Sequence, residues 1–325
     1  MDAVWFYTYG CRDFFWETIG NFGSRVGLMQ RRPPPPTRLD GQTIIVTGGN
    51  KNIGKEVSMD LAARGARVII ACRDVDSAKA VVNEIRSKGA AAETVVKHVD
   101  MSSLQSIRQF ADDIIASEAQ VDCLVNNAGV IESERRETVD GLEINMAVDY
   151  FGPVYLTMLL LDKIRSTSDD PRVVSVSSMA HGTVNKIDID DLNFQKSFDL
   201  MRAYGTAKLG VIMFSRELAR RQEQVRVYAV DPGFSPTNLF DRLPWFLRIF
   251  INNPFASFHA RPVQEAAASV IHAVVDACEE YDPVNNYLYD GDVKDPHTVA
   301  LVRSDCLTLW NETSRILDLK SMKDL

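Results

Sequence analysis

Cysteine, histidine and net positive charge are scarce in this chain, and each shortage removes a class of protein. The five cysteines, Cys11, Cys72, Cys123, Cys278 and Cys306, follow no paired spacing. That excludes a disulfide framework and a zinc module, and fits reduced thiols in a cytosol-like medium. His98, His181, His259, His272 and His297 show no metal-ligand spacing either. Lysine and arginine total 36 against 44 acidic residues, a formal net charge of −8. No basic domain or stripe stands out, which argues against a nucleic-acid partner. Within residues 1–32 no uncharged apolar run reaches the length of about 18 residues that a simple membrane-spanning helix needs. A basic n-region with a small-residue cleavage site is missing as well, and no internal repeat is visible.

What is present divides into a short first segment and one long domain. Residues 1–36 crowd Trp5, Phe6, Tyr7, Tyr9, Phe14, Phe15, Trp16 and Phe22 ahead of the polyproline spacer Pro33–Pro36. Such aromatics suit a membrane interface, and equally a helix packed on the protein's own surface. From 37 to 325 apolar strand-like runs alternate with helical patterns, with strands expected at 43–47, 67–72, 93–98, 121–125, 172–177, 225–230 and 286–289. The alternation predicts an α/β fold: a Rossmann-like, doubly wound parallel sheet of about seven strands in a three-layer α/β/α arrangement. At 325 residues the chain can hold one such domain with ample core.

Four stretches carry chemistry. Tyr204 and Lys208 are four positions apart, so on a helix they share a face. A phenol titrates near pH ~10 when unperturbed, and a neighbouring cation favours its ionised form, bringing proton transfer within reach of neutral pH. The bland alternative is an amphipathic side chain beside a solvated one. Thr43-Ile44-Ile45-Val46 runs into Thr47-Gly48-Gly49-Asn50-Lys51-Asn52-Ile53-Gly54 and then a helical pattern. This strand, glycine turn and helix start form a phosphate cradle, or else an ordinary strand-turn-helix. The strand Asp122-Cys123-Leu124-Val125 ends in Asn126-Asn127-Ala128-Gly129, whose small residues admit a ribose. Arg172-Val173-Val174-Ser175-Val176 delivers Ser177 and Ser178 to a strand end, where open parallel sheets bind ligands; both serines suit capping equally well.

In this order and at these spacings the four stretches resemble the short-chain dehydrogenase/reductase family. Ala71-Cys72-Arg73-Asp74, the block 140–157 and the long gap between Ser178 and Tyr204 resemble its retinol-dehydrogenase-like branch. The resemblance implies that Tyr204 exchanges the substrate proton, Lys208 lowers its pKa and holds the nicotinamide ribose, and Ser178, with Ser177 as fallback, binds the substrate oxygen. Gly48, Lys51, Asn52, Ile53 and Gly54 would cradle the cofactor phosphates, Asp100 would face adenine or cap a helix, Asn126 would support the adenosine ribose or the central strand, and Ala128 and Gly129 would lie by the ribose. Pro232, Gly233 and Thr237 would contact the nicotinamide. Arg73 and Lys51 favour NADP (NADPH) over NAD, while Asp74 or Asp76 reads as the cap of the following helix.

Two positions depart from the family. Asn52 stands in place of the usual middle glycine, which asparagine can tolerate. Asp149 stands where most members carry asparagine; its charge favours protonated neighbours and raises the tyrosine's pKa, and Asn145 is not expected to replace it. The resemblance further implies a small lipophilic substrate (a retinoid, steroid, long-chain or polyprenoid alcohol and its aldehyde or ketone). The apolar stretch 243–258 would be a lid, or else a core helix. Peripheral membrane contact through 1–32 or 243–258 would put the chain on the cytosolic face of an internal membrane, endoplasmic reticulum or lipid droplet, with a soluble cytoplasmic protein as the alternative. Homodimerisation through helices around 138–165 and 203–223 is open. A catalytically idle nucleotide-binding sensor on the same fold is the competing function, favoured by Asn52 and Asp149.

Overall fold

The computed structural model describes residues 33–325 apart from 91, 236, 238–260 and 276–280. The aromatic segment 1–32 and the apolar stretch 243–258 lie outside the described residues.

Strands β1 (Thr43–Thr47), β2 (Arg67–Cys72), β3 (Thr94–His98), β4 (Cys123–Asn126), β5 (Arg172–Val176), β6 (Arg226–Asp231), β7 (Tyr287–Tyr289) and β8 (Asp292–Val293) form one sheet in the order β3-β2-β1-β4-β5-β6-β7-β8. All neighbours pair in parallel except β7 and β8, which are antiparallel. The sheet therefore has eight strands among the described residues, one more than the sequence reading expected. The extra strand is a two-residue return from Asp290-Gly291, both at positive φ (58° and 77°), the geometry that a tight hairpin turn demands.

The inner strands are mostly apolar and almost wholly buried because both faces of the sheet are covered. Along β1, Ile45 faces a core shared with Ile69 and Leu124, whereas Ile44 and Val46 face the opposite core with Val68, Ile70 and Val125. Helices α1 (Asn52–Ala63), α2 (Val75–Ser87) and α6 (Val263–Val275) cover the second face. Helices α3 (Leu104–Ser117), α4 (Ile144–Thr167), α5 (Leu200–Arg221) and α7 (Arg303–Ile316) cover the first. Each fully buried Ile or Leu in these layers contributes about 1.5–3 kcal/mol.

Helix α4 is long and apolar enough to cross a membrane, yet 94% of its apolar window is buried inside the protein. An apolar surface all round is what a fully enclosed core helix requires. Its Ala147–Phe151 turn is π-helical, a local widening found often at functional sites. Pro33–Pro36 takes no regular structure; Arg64 at the end of α1 donates to the carbonyls of Pro35 and Thr37 and ties the spacer to the domain.

The chain leaves β1 toward β2 and β3, then returns to place β4 on the other side of β1. That reversal opens a crevice above the carboxyl ends of β1 and β4, where ligands of doubly wound sheets bind.

Candidate active site

A cleft of about 420 Å3 occupies this position, and it gathers most of the residues expected from the sequence. At its phosphate end Gly48 turns the chain at φ 65° and Asn52 adopts φ 48°, so asparagine does take the left-handed backbone usually left to glycine. A Cβ on Gly54 would collide with the Gly48 carbonyl and Asn127 Nδ2; glycine alone lets turn and helix close. Helix α1 begins with Lys51 as N-cap and no side-chain cap, whereas Asp74, Ser103 and Asp199 cap α2, α3 and α5. Its first-turn N–H groups, on Asn52, Ile53 and Gly54, belong to residues lining the cleft. Uncapped amides together with the helix dipole favour an anion there.

Around the mouth, Lys51 Nζ stands 3.2 Å from Asp74 Oδ2, and Asp74 accepts a hydrogen bond from Ser77 N at 3.0 Å. The Ser77 N–H first, and Lys51 second, hold the Asp74 carboxyl below its usual range. Arg73 lines the cleft, is exposed, and makes no ion pair among the described residues. Asp100 also lines it, with Oδ1 accepting from Ser102 N (2.9 Å) and Ser102 Oγ (2.6 Å). Since Ser103 caps α3, Asp100 is a turn residue and not the cap.

Of its two expected roles Asn126 takes support of the central strand and not contact with the ribose. It does not line the cleft; its Nδ2 donates to Thr157 Oγ1 (2.9 Å) and Ser175 Oγ (3.3 Å), bracing α4 against β5. The neighbouring Asn127 lines the cleft instead, with Nδ2 donating to Thr47 O at 2.9 Å. The doublet Asn126-Asn127 was the available signal: along a strand, adjacent side chains face opposite ways. Ala128, Gly129, Pro232, Gly233 and Thr237 all line the cleft as expected. The Gly233 N–H donates to Asp231 Oδ1 at 2.9 Å, and buried Arg261, paired with Asp290, donates to the Pro232 carbonyl.

At the inner end, α5 carries Tyr204 and Lys208 side by side, with Lys208 Nζ 5.6 Å from the centre of the Tyr204 ring. Ser178 follows β5 in extended backbone, lines the cleft together with Tyr204 and acts to lower the phenol's pKa. Ser177 donates its hydroxyl to the Lys208 carbonyl at 2.9 Å, so of the two serines Ser178 is the one that meets Tyr204. The 26-residue interval between Ser178 and Tyr204 is taken up by two short 3-10 turns, Met179–Thr183 and Ile189–Asp191, ahead of α5.

Asp149, on the π-helical turn of α4, places Oδ1 3.1 Å from Lys208 Nζ and accepts from Val130 N at 3.2 Å. Lys208 also donates to Val176 O at 3.2 Å. Burial pushes the Asp149 carboxyl up to about 6 although Lys208 opposes it. For Lys208, burial works downward but Asp149, Tyr204 and Asp231 outweigh it, and the ammonium is held. For Tyr204, burial and Asp149 raise the pKa more than Lys208 and Ser178 lower it. The expected depression of the phenol by Lys208 is thus overturned in net direction, because a phenolate in a dry site loses more solvation than one cation returns. Asn145 is engaged elsewhere: Oδ1 accepts from Glu132 N at 2.8 Å and Nδ2 donates to Glu143. No cluster of His, Cys, Asp or Glu suited to a metal occurs among the described residues.

The phenol, hydroxyl and ammonium at the inner end of the cleft form a group able to exchange a proton with an oxygen bound beside them. The sequence model of the short chain dehydrogenase family matches residues 42–244. Retinol dehydrogenase 13 of Homo sapiens is 35% identical over 296 residues, covering 89% of this chain and 88% of the relative. Retinol dehydrogenase 12 of Homo sapiens is 35% identical over 292 residues, covering 87% and 88%. Among solved structures, an uncharacterised protein from Mycobacterium paratuberculosis superposes with a TM-score of 0.69 at 27% identity, over 87% of this chain and 95% of that one. The Pseudomonas aeruginosa RhlG/NADP active-site complex superposes at 0.62 with 24% identity, over 78% and 96%, and speaks for the fold.

Proposed function

Because this chain belongs to the short chain dehydrogenase family, as an oxidoreductase of the retinol-dehydrogenase-like branch, we propose that it interconverts a lipophilic alcohol and its aldehyde or ketone using NADP. The observation that carries the reading is the meeting of Ser178, Tyr204 and Lys208 at the inner end of the cleft.

The residues fit a dinucleotide: an uncapped helix start, a glycine turn that no Cβ could enter, and small Ala128 and Gly129 beside the path. When bound, the nicotinamide supplies or accepts the hydride. Ser178 holds the substrate oxygen by hydrogen bonding, and Tyr204 gives that oxygen its proton on reduction or takes it on oxidation. Lys208 keeps a positive charge beside the phenol, so the phenolate left after donation is formed against a cation. Asp149, 3.1 Å from Lys208, receives or returns the proton that the relay must replace.

NADP is supported by Arg73, exposed and without an ion pair among the described residues, and by Lys51 on the same rim. Asp74 is occupied with Lys51 and with the cap of α2, which leaves it poorly placed to serve a ribose diol. The lipophilic class is supported by Ile131, Ile144, Val148, Met179 and Phe234 in the cleft lining, and by the names of the relatives. Contact with the cytosolic face of an internal membrane through 1–32 or 243–258 belongs to the same reading, as does a homodimer. Deleting residues 1–36 should release the protein from membranes, and unchanged partitioning would sink the anchor.

The primary test is NADPH oxidation with a panel of lipophilic aldehydes and ketones including retinal, with NADH as control cofactor. Turnover should prefer NADPH and fall about 100-fold or more in Tyr204→Phe, as loss of a general acid predicts. A second reading, an idle nucleotide sensor, draws support from the Asp149–Lys208 pair and the raised phenol. NADPH binding without turnover in both parent and Asp149→Asn would favour it.

A further inference from the structure

Building on the oxidoreductase reading, we infer that His181 is a positioning residue that fixes Ser178 through its backbone and links it to the C-terminal segment. The Ser178 carbonyl accepts two hydrogen bonds from His181, one from its main-chain N–H at 3.0 Å and one at Nδ1, 2.6 Å away. On the other side of the ring, Nε2 accepts the main-chain N–H of His297 at 3.2 Å. A backbone N–H can only donate, so Nε2 carries no proton and the neutral ring must hold its hydrogen on Nδ1. The two partners thus fix the tautomer between them, and a second donor reaches the serine that binds the substrate oxygen.

The ring is buried and stands edge-on to Tyr287, with centroids 5.3 Å apart. Tyr287 donates its hydroxyl to Asp231 Oδ2 at 3.1 Å, and Asp231 Oδ1 accepts from Gly233 in the turn expected beside the nicotinamide. His181 therefore joins three parts that must agree in space: the β5 end bearing Ser178, the β6 end bearing the Pro232-Gly233 turn, and the loop at His297. It touches no reacting atom itself. A side chain that sets a donor's position matters because misplacement by about 1 Å can cost on the order of 100-fold in rate.

Two measurements test this. The first is a double-mutant cycle with Ser178→Ala, followed as NADPH-dependent turnover of a lipophilic aldehyde. His181→Ala should lower kcat by about 10- to 100-fold in the parent and by less than about threefold where Ser178 is already gone. NADPH affinity should stay unchanged throughout, and His181→Asn, which keeps a donor near the Nδ1 position, should recover part of the loss. Equal losses in both backgrounds would overturn the inference. The second is the nitrogen spectrum of histidine-labelled parent protein, which needs neither turnover nor a variant. A neutral Nδ1–H tautomer is the expected result, and an Nε2–H tautomer would overturn the linkage. A parent that turns over no substrate defeats the proposed function, whereas the tautomer still decides the role of His181.

Discussion

Two lysine–aspartate pairs stand at opposite ends of one cleft with almost the same separation, Lys51–Asp74 at 3.2 Å and Lys208–Asp149 at 3.1 Å. Their carboxyls nevertheless move in opposite directions. At the mouth, the side chains of Lys51 and Asp74 are 58% and 50% exposed, water solvates both charges, and the Ser77 N–H first and Lys51 second hold Asp74 below its usual range. At the inner end, Lys208 and Asp149 are 5% and 0% exposed, and burial drives Asp149 upward against the same kind of partner. Distance alone therefore says little about what an ion pair does; desolvation decides. The mouth pair is suited to exchange partners with a phosphate, whereas the inner pair is suited to hold or pass a proton.

Breaking each pair from its lysine side should expose the difference most strongly. Lys208→Met leaves a buried carboxylate without its counter-ion and should cost about 3–5 kcal/mol of stability, read by chemical denaturation, along with most turnover. Lys51→Met should leave the denaturation midpoint almost unmoved, as exposed pairs contribute little. Similar losses at the two ends would refute the contrast.

Asp149→Asn sharpens it through pH. In the parent, Asp149 titrates at about 6 when folded against an ordinary value of 3.8, so between these values the folded chain keeps a proton that the unfolded chain has released. Its contribution is fully present below the unfolded value and is lost as pH rises through about 6. A rise of roughly two pH units corresponds to on the order of 3 kcal/mol. Stability curves across that window should show this decline in the parent and not in Asp149→Asn. In the oxidation direction, where Tyr204 must be ionised to accept a proton, the rising limb of the rate profile should move to lower pH in the variant, because Asp149 raises the phenol.

The smallest effect concerns the mouth itself. Lys51→Ala with Arg73→Ala should weaken NADPH by about 10-fold while leaving NADH nearly unchanged, and added salt should weaken NADPH binding to the parent because exposed charges are screened. Titration of both cofactors at low and high salt checks this, and equal weakening of NADPH and NADH would count against a 2′-phosphate site.

The sheet was legible because its signals are local: apolar runs of β1, β2 and β5, broken by turn residues, announce buried parallel strands wherever they later sit. The Tyr204–Lys208 pair was legible for the same reason, since helical spacing fixes a shared face. The short return strand Asp292–Val293 was not read, although Asp290-Gly291 advertised its turn, because two residues carry no periodicity. Whether Asn126 serves the ribose or the central strand is a one-residue question that strand alternation turns into opposite faces, and only the fold answers it.

The sequence by itself determined the chemistry available: a phenol, an ammonium and a hydroxyl in the right order, a glycine turn before a helix, and an acid where asparagine is usual. Tertiary structure alone decided the charge states and the couplings. Only the packing of α4 on α5 brings Asp149 to Lys208 and dries both, and only the return of the chain from β7 brings His297 to His181. The cause is physical. Propensity and periodicity act over a few neighbouring residues, whereas solvation and Coulomb interaction depend on what the whole fold places within a few ångströms.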